Sequence, residues 1–236
     1  HISNCSFSSV CAAIRIGLKS IGSISDVHIS HCSMKNVWRE GIKIECSEGG
    51  NISDINIQDI TMNDVSRPIF ILLNNRFEPD DLGSSLELDH IPEIGTMSDI
   101  IISDIIASDS DEMRNTHYRF DDDVMGSPKF AGIRIDAEKN HPIRNLTLRN
   151  ISYKFIGGVK LSDIPNEYPE VIDKLIDCDT LSSENYYPDW SRASFMDIRN
   201  IIGLNVRNIQ CFAIYPDERR GIITENVQFS DNSDNL

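Results

Sequence analysis

The chain has 236 residues, and its 22 lysine and arginine residues against 37 aspartate and glutamate residues give a net charge of −15. This acidity argues against a nucleic-acid partner or an anionic membrane surface. No stretch is apolar enough to span a bilayer, and the length suits one domain with a sizeable core.

Apolar residues recur in one register along the chain. A partial copy occupies residues 2–7, and five fuller copies follow at residues 24–34, 52–62, 97–105, 143–153 and 201–211. Equivalent positions in the fuller copies, starting from Val27 and Ile55, are separated by 28, 45, 46 and 58 residues. A unit of about 28 residues therefore recurs with insertions.

Each copy alternates apolar and small polar residues and then changes phase before its last apolar position. The alternation predicts short strands with one buried face, and the change of phase predicts a corner. A second strand follows in most units, at residues 13–16, 41–44, 68–71 and 132–135. Strands repeated without helical periodicity predict an all-β fold, a right-handed parallel β-helix (solenoid) with loop insertions.

The repeat predicts a single domain over residues 1–236. Because the chain starts inside a repeat, we expect it to be the carboxy-terminal part of a longer protein. The residues at two equivalent inner positions of each unit should be buried and stacked: Val27, Ile29, Ile55, Ile57, Ile100, Ile102, Leu146, Leu148, Leu204 and Val206.

Three inserts interrupt the units near residues 78–96, 109–129 and 157–193. Their Pro, Asp, Glu, Asn and aromatic content is typical of loops on one side of a repeat fold. Inserts of this kind often wall a binding face. The acidic runs at residues 78–81 and 121–123 lack the spacing of a calcium loop, so we interpret them as solvated surface.

The six cysteines could serve as disulfides, metal ligands or core residues. Cys5 and Cys32 occupy the same repeat position, which predicts stacked neighbours. The others, Cys11, Cys46, Cys178 and Cys211, show neither a paired C-x-x-C motif nor a histidine at ligand spacing. We therefore expect structural thiols, with no metal site and no cofactor.

The strongest chemical signal comes from aligning the second strands. Arg15, Lys43, Phe70 and Arg134 each lie between two inward isoleucines, so all four should point outward on one sheet. Neighbouring parallel strands are about 4.8 Å apart, which makes a ladder of cations with one aromatic ring. Such a ladder suits an acidic sugar chain, because Arg and Lys pair with carboxylates. A solvated sheet face that offsets neighbouring acids is the alternative.

The order of motifs resembles the second half of a polygalacturonase, glycoside hydrolase family 28. The matching stretches lie at residues 11–17, 41–45, 49–65 and 68–69. A later group at residues 164–170 and 190–192 is similar to the ending of bacterial members. The resemblance covers nearly the whole chain, and its specificity comes from the order and spacing of the motifs.

The resemblance implies inverting hydrolysis of α-linked galacturonan by aspartates acting as acid and base. Those aspartates would precede residue 1, so the catalytic residues are unknown in this chain. The family's Gly-His-Gly turn maps onto residues 11–13, where Ala12 replaces the histidine, and its Arg-x-Lys motif maps onto Lys43 and Glu45. These departures suggest that the protein acts on a glycosidic link other than that of plain polygalacturonate, or that it is a degenerate copy of the enzyme.

We therefore predict a hydrolase of pectic polysaccharide, galacturonan or rhamnogalacturonan, that is extracellular or periplasmic and monomeric. Its partner would be an acidic plant cell-wall polysaccharide, contacted by Arg15, Lys43, Glu45, Phe70 and Arg134. A non-catalytic carbohydrate-binding or adhesin-like protein is the alternative. A β-eliminating lyase ranks third, because the clustered acids that would recruit calcium are missing from the sequence pattern.

Overall fold

A computed structural model describes residues 1–17, 21–75, 77, 90–110, 132–163, 192–231 and 233–234. Within these residues the chain forms a short 3-10 turn, Leu161–Asp163, and twelve β-strands. The strands are β1 (Ile2–Ser3), β2 (Ser6–Ser9), β3 (Ile14–Ile16), β4 (Ser23–Ile24), β5 (Val27–Cys46), β6 (Asn51–Ile52), β7 (Ile55–Leu73), β8 (Thr96–Ser108), β9 (Ile133–Ala137), β10 (Ile143–Gly157), β11 (Ala193–Tyr215) and β12 (Arg220–Phe229).

The long strands bend at polar residues with left-handed backbone angles. One such corner recurs at the same position of six repeats, with φ between 50° and 59°, at Asn4, His31, Asp59, Asp104, Asn150 and Asn208. Asn and Asp tolerate this conformation better than other residues with a Cβ atom. The predicted corner at the change of phase is therefore confirmed. The corner side chains also bond to each other, since Asn150 donates to Asp104 at 2.8 Å and Asn208 donates to Asn150 at 3.0 Å.

Equivalent repeat positions pair side by side in parallel. Ile29 pairs with Ile57, Ile57 with Ile102, Ile102 with Leu148, and Leu148 with Val206. Nine of the ten predicted core residues are buried. The exception, Val27, begins β5 and is only half-buried. Alternation therefore predicted the inner face correctly, because a strand presents every second side chain to the core.

The strand pairing shows that the predicted right-handed parallel β-helix is wrong. β7 pairs with β8 and β9, β11 pairs with β9 and β10, and β8 pairs with β10. These five strands form a closed parallel β-barrel. The other seven strands of the sheet extend it, through β5 on β7, β6 on β8 and β12 on β11.

Strand length explains why the sequence pattern misses this closure. The pattern predicts separate short strands, whereas β7 has 19 residues and β11 has 23 because both continue through corners. One edge of β7 therefore holds two partners, β8 along Ile55–Met62 and β9 along Ile69–Leu73. A period of two predicts the buried face of a strand but not the number of partners along its edge.

The core gives a direct test of the register. Replacing Ile57, which is fully buried, with Asp would place an unpaired charge among apolar side chains. We expect the free energy of unfolding to fall by about 4 kcal/mol or more, measured by urea denaturation. Asn63→Asp, at an exposed position of the same strand, is the matched control and should change it by less than about 0.5 kcal/mol. Equal losses in both variants would contradict the register.

Candidate functional site

The second strands bring four of the predicted site residues into one row. Arg15 pairs with Lys43, Lys43 with Phe70, Phe70 with Arg134, and Arg134 with Asp197. A second row lies two residues further along the same strands and contains Glu45, Leu72, Asp136 and Arg199. We refer to these two rows together as the charged ladder.

The charged ladder is buried, which corrects the expectation of an exposed sheet face. Lys43 and Arg134 are each 1% exposed, Phe70 is 4% exposed, and Glu45 is fully buried. The Arg15 side chain is 29% exposed and marks the accessible end of the rows. Phe70 does not belong to the apolar cluster formed by the inward isoleucines, so the ladder is separate from the main core.

Opposite charges two residues apart explain how the ladder can be buried. Residues two apart on a strand face the same side, and here they form ion pairs. Lys43 Nζ lies 3.1 Å from Glu45, and Arg134 Nη2 lies 3.4 Å from Asp136. Burying a charge is costly unless it is paired, and β5 and β9 each bring their own counter-charge.

The third of these pairs completes the ladder on β11. Arg199 donates twice to Asp197, from Nε at 3.1 Å and from Nη2 at 3.3 Å. Sequence reasoning missed Asp136, Asp197 and Arg199. The signal that could have revealed them is an isoleucine flanked by opposite charges, found in residues 43–45, 134–136 and 197–199.

More charged residues adjoin the ladder at Phe70. Lys43 Nζ and the Arg67 guanidinium each lie 5.4 Å from the centre of the Phe70 ring, within cation–π range. Burial alone would raise the pKa of Glu40, but Arg39, Lys43 and Arg67 outweigh it and lower the pKa. Burial also lowers the pKa of Arg67 to about 10, against the opposing attraction of Glu40.

Asp136 is the ladder residue whose pKa is raised toward neutral pH. Burial raises the pKa of Asp136 from 3.8 to about 7, although Arg134 and Arg199 oppose the rise, and Asp197 adds to it. Its Oδ1 atom is buried and finds no hydrogen-bond partner among the residues that the structure describes. Asp136 therefore exchanges a proton near neutral pH.

This shift predicts how stability depends on pH. Between pH 4 and 7 the folded state keeps a proton on Asp136 that the unfolded state has lost, so this group lowers the free energy of unfolding as pH rises. The loss should be on the order of 4 kcal/mol and level off above pH 7. Urea denaturation of wild type and Asp136→Asn at pH 4 and pH 8 measures it, since the variant should lack this slope.

Asp104→Asn is the matched control for that measurement. Hydrogen bonds from Asn150 and Ser103 lower the pKa of the exposed Asp104, so its contribution should be lost as pH falls, which is the opposite sign. A wild type and an Asp136→Asn variant with parallel pH profiles would contradict the assignment of Asp136.

The ladder and its neighbours form a network rich in cations. Among the described residues, ion pairs join four carboxylates to six cations: Glu40, Glu45, Asp136 and Asp197 with Arg15, Arg39, Lys43, Arg67, Arg134 and Arg199. Glu225 lies 3.9 Å from Arg199 and pairs with Arg192 at 3.0 Å. Cations gathered in this way supply the donors that suit an anionic ligand.

An open groove on another surface has the opposite character. It has a volume of about 660 Å³, and its lining includes Asp26, Asp54, Asp99, Asn56 and Thr147. Hydrogen bonds from Ser98 and Asn145 lower the pKa of Asp99, which favours its charged form. Three carboxylates in one groove repel an acidic chain, so the charged ladder is the better anion site.

The remaining predicted residues and motifs lie outside the ladder. Ala12 is half-buried beside the ladder. Cys32 and Cys46 are buried free thiols, whereas Cys5, Cys11 and Cys211 are free and exposed, against the bias toward burial. Cys178, the acidic runs at residues 78–81 and 121–123, and the motifs at residues 164–170 and 190–191 lie outside the described residues. Most residues of the three inserts also lie outside the described residues.

The described residues contain no helix that is long and apolar enough to cross a membrane. Among them, no three His, Cys, Asp or Glu side chains are grouped so that they could hold a metal ion.

No known protein family, characterised protein or solved structure was found to match this chain. The similarity to polygalacturonases therefore depends on the motifs themselves and stays a prediction.

Proposed function

We propose that this chain is the part of a polygalacturonase-like glycoside hydrolase that binds an acidic pectic polysaccharide through the charged ladder. The observation that carries the proposal is the clustering of cations around an aromatic ring in a chain whose net charge is −15. Outside such a site, a strongly acidic protein repels a polyuronate. The cluster therefore supports a local site for an anionic ligand.

The kinds of residue in the ladder suit this ligand. Arg and Lys form charge-assisted hydrogen bonds to carboxylates, and those bonds are stronger than neutral ones. The Phe70 ring lies within cation–π distance of both Lys43 and Arg67. Because Arg15 has the most exposed cation of the rows, we expect the ligand to contact this end first, with deeper contacts requiring local movement.

We assign no catalytic residue within the chain. The resemblance implies that the acid and base of hydrolysis lie before residue 1, and the ladder carboxylates Glu45, Asp136 and Asp197 are all ion-paired. The same pairing supports the second candidate, a non-catalytic carbohydrate-binding protein. An extracellular or periplasmic location accompanies either proposal, because pectic polysaccharide lies outside the cell.

Removing one cation of the ladder tests ligand binding. We expect Arg134→Gln to weaken the binding of oligogalacturonate by about 1.5 to 3 kcal/mol, because a charge-assisted hydrogen bond to the ligand is lost. Isothermal titration calorimetry measures the change. Arg149→Gln, an exposed cation of β10 outside the ladder, is the matched control and should bind like wild type. The proposal fails if both variants bind like wild type, or if a neutral glucan binds equally well.

A reducing-end assay separates hydrolysis from binding. We expect residues 1–236 to release no reducing sugar from polygalacturonate or rhamnogalacturonan, because no accessible acid and base have been assigned among them. Turnover by this chain would place the catalytic groups within it, with Asp136 and the acidic runs the first positions to substitute. A longer chain that includes the preceding repeats should be active if the protein is a hydrolase, and inactive if it only binds.

A further inference from the structure

Glu45 contacts two cations on neighbouring strands at once. Its Oε2 atom lies 2.9 Å from Arg15 Nη2, and its Oε1 atom lies 3.1 Å from Lys43 Nζ. Arg15 and Lys43 are direct neighbours in the register of β3 and β5. One carboxylate therefore spans the gap between two strands.

This arrangement is the one in which a protein holds a ligand carboxylate. Each oxygen faces a separate cation at hydrogen-bond distance, and the guanidinium and ammonium groups approach from two different strands. Here the carboxylate belongs to the chain itself. The contacts of Arg134 with Asp136 and of Arg199 with Asp197 differ, because each of them joins two residues of the same strand.

Position also distinguishes this contact from the other ladder pairs. The side chains of Arg134 and Arg199 are each 2% exposed, whereas that of Arg15 is 29% exposed. A ligand could therefore reach Arg15 first, whereas contact with Lys43 at the place of the Glu45 carboxylate requires local movement because both are buried. The carboxylate of Glu45 occupies the place where an acidic group of that ligand would pair.

We propose that Arg15 and Lys43 form a carboxylate-binding site that Glu45 occupies, so that this position accepts an uncharged sugar unit and rejects a uronate. The proposal rests on the proposed function, because it assigns specificity within the same ladder. A tethered carboxylate is present at high effective concentration. A ligand carboxylate must displace it, whereas a hydroxyl or methyl ester need not.

The test compares an acid with its ester in wild type and Glu45→Gln. Calorimetry with trigalacturonate and with its fully methyl-esterified form gives the two wild-type affinities from which each change is measured. In Glu45→Gln the affinity for trigalacturonate should rise at least tenfold, while that for the ester changes less than twofold. Unchanged affinity for the acid, or an equal gain for both ligands, would overturn the proposal.

Two further variants show whether the gain comes from this site. Glu48→Gln removes another buried carboxylate, three residues away and outside the ladder, and should not raise the affinity for trigalacturonate. The double variant Lys43→Gln with Glu45→Gln lacks half of the cationic pair and should lose the gain. A gain that survives in the double variant would contradict the site.

Separate measurements test whether each variant folds and whether it binds ligand. Because Glu45→Gln leaves the buried Lys43 and the partly exposed Arg15 with less counter-charge, urea denaturation should accompany it. If it does not fold, Glu45→Asp keeps the charge but withdraws the carboxylate by one methylene, and it should raise the affinity for trigalacturonate about threefold; no gain would overturn the proposal. If neither wild type nor any variant binds either ligand, the proposed function itself fails. If wild type binds and Glu45→Gln shows no gain, only the role of Glu45 fails.

Discussion

The charged ladder depends on opposite charges placed two residues apart on one strand. Lys43 with Glu45, Arg134 with Asp136, and Asp197 with Arg199 each pair within a strand before any neighbour is considered. Pairing of this kind reduces the cost of removing charges from water, which is otherwise prohibitive. Because β5, β9 and β11 each bring their own counter-charge, the parallel register can stack these pairs in a buried layer beside the apolar core.

Register and corners determine which pairs meet. The left-handed Asn, Asp and His residues turn the chain at the same position of successive repeats. Equivalent residues then lie side by side, and β7 and β11 extend through their corners to hold two partners on one edge. This double pairing closes the barrel. It also places Phe70 of β7 beside Arg134 of β9, which joins the two halves of the ladder.

Stability and recognition make opposite demands on the ladder. A fully compensated layer of charge stabilises the fold but attracts no ligand, whereas an excess of cations attracts an anion at the cost of mutual repulsion. Arg39 and Arg67 share Glu40, and Glu45 is shared by Arg15 and Lys43. Shared carboxylates of this kind gather several cations in one place while keeping each of them close to an acid. The specificity proposed for Glu45 follows from this sharing.

The sequence by itself determined which faces are buried, where the corners lie and which residues are neighbours in the ladder. Ile29, Ile57 and Ile102 followed from alternation, and Arg15, Lys43 and Phe70 from the repeat length, because both properties are local or periodic. Only the tertiary structure decided that the barrel closes, that Lys43 and Arg134 are buried, and that Asp136 takes up a proton near pH 7. These outcomes depend on partners distant in the chain, which set how far each strand edge is shared and how much water each charge loses.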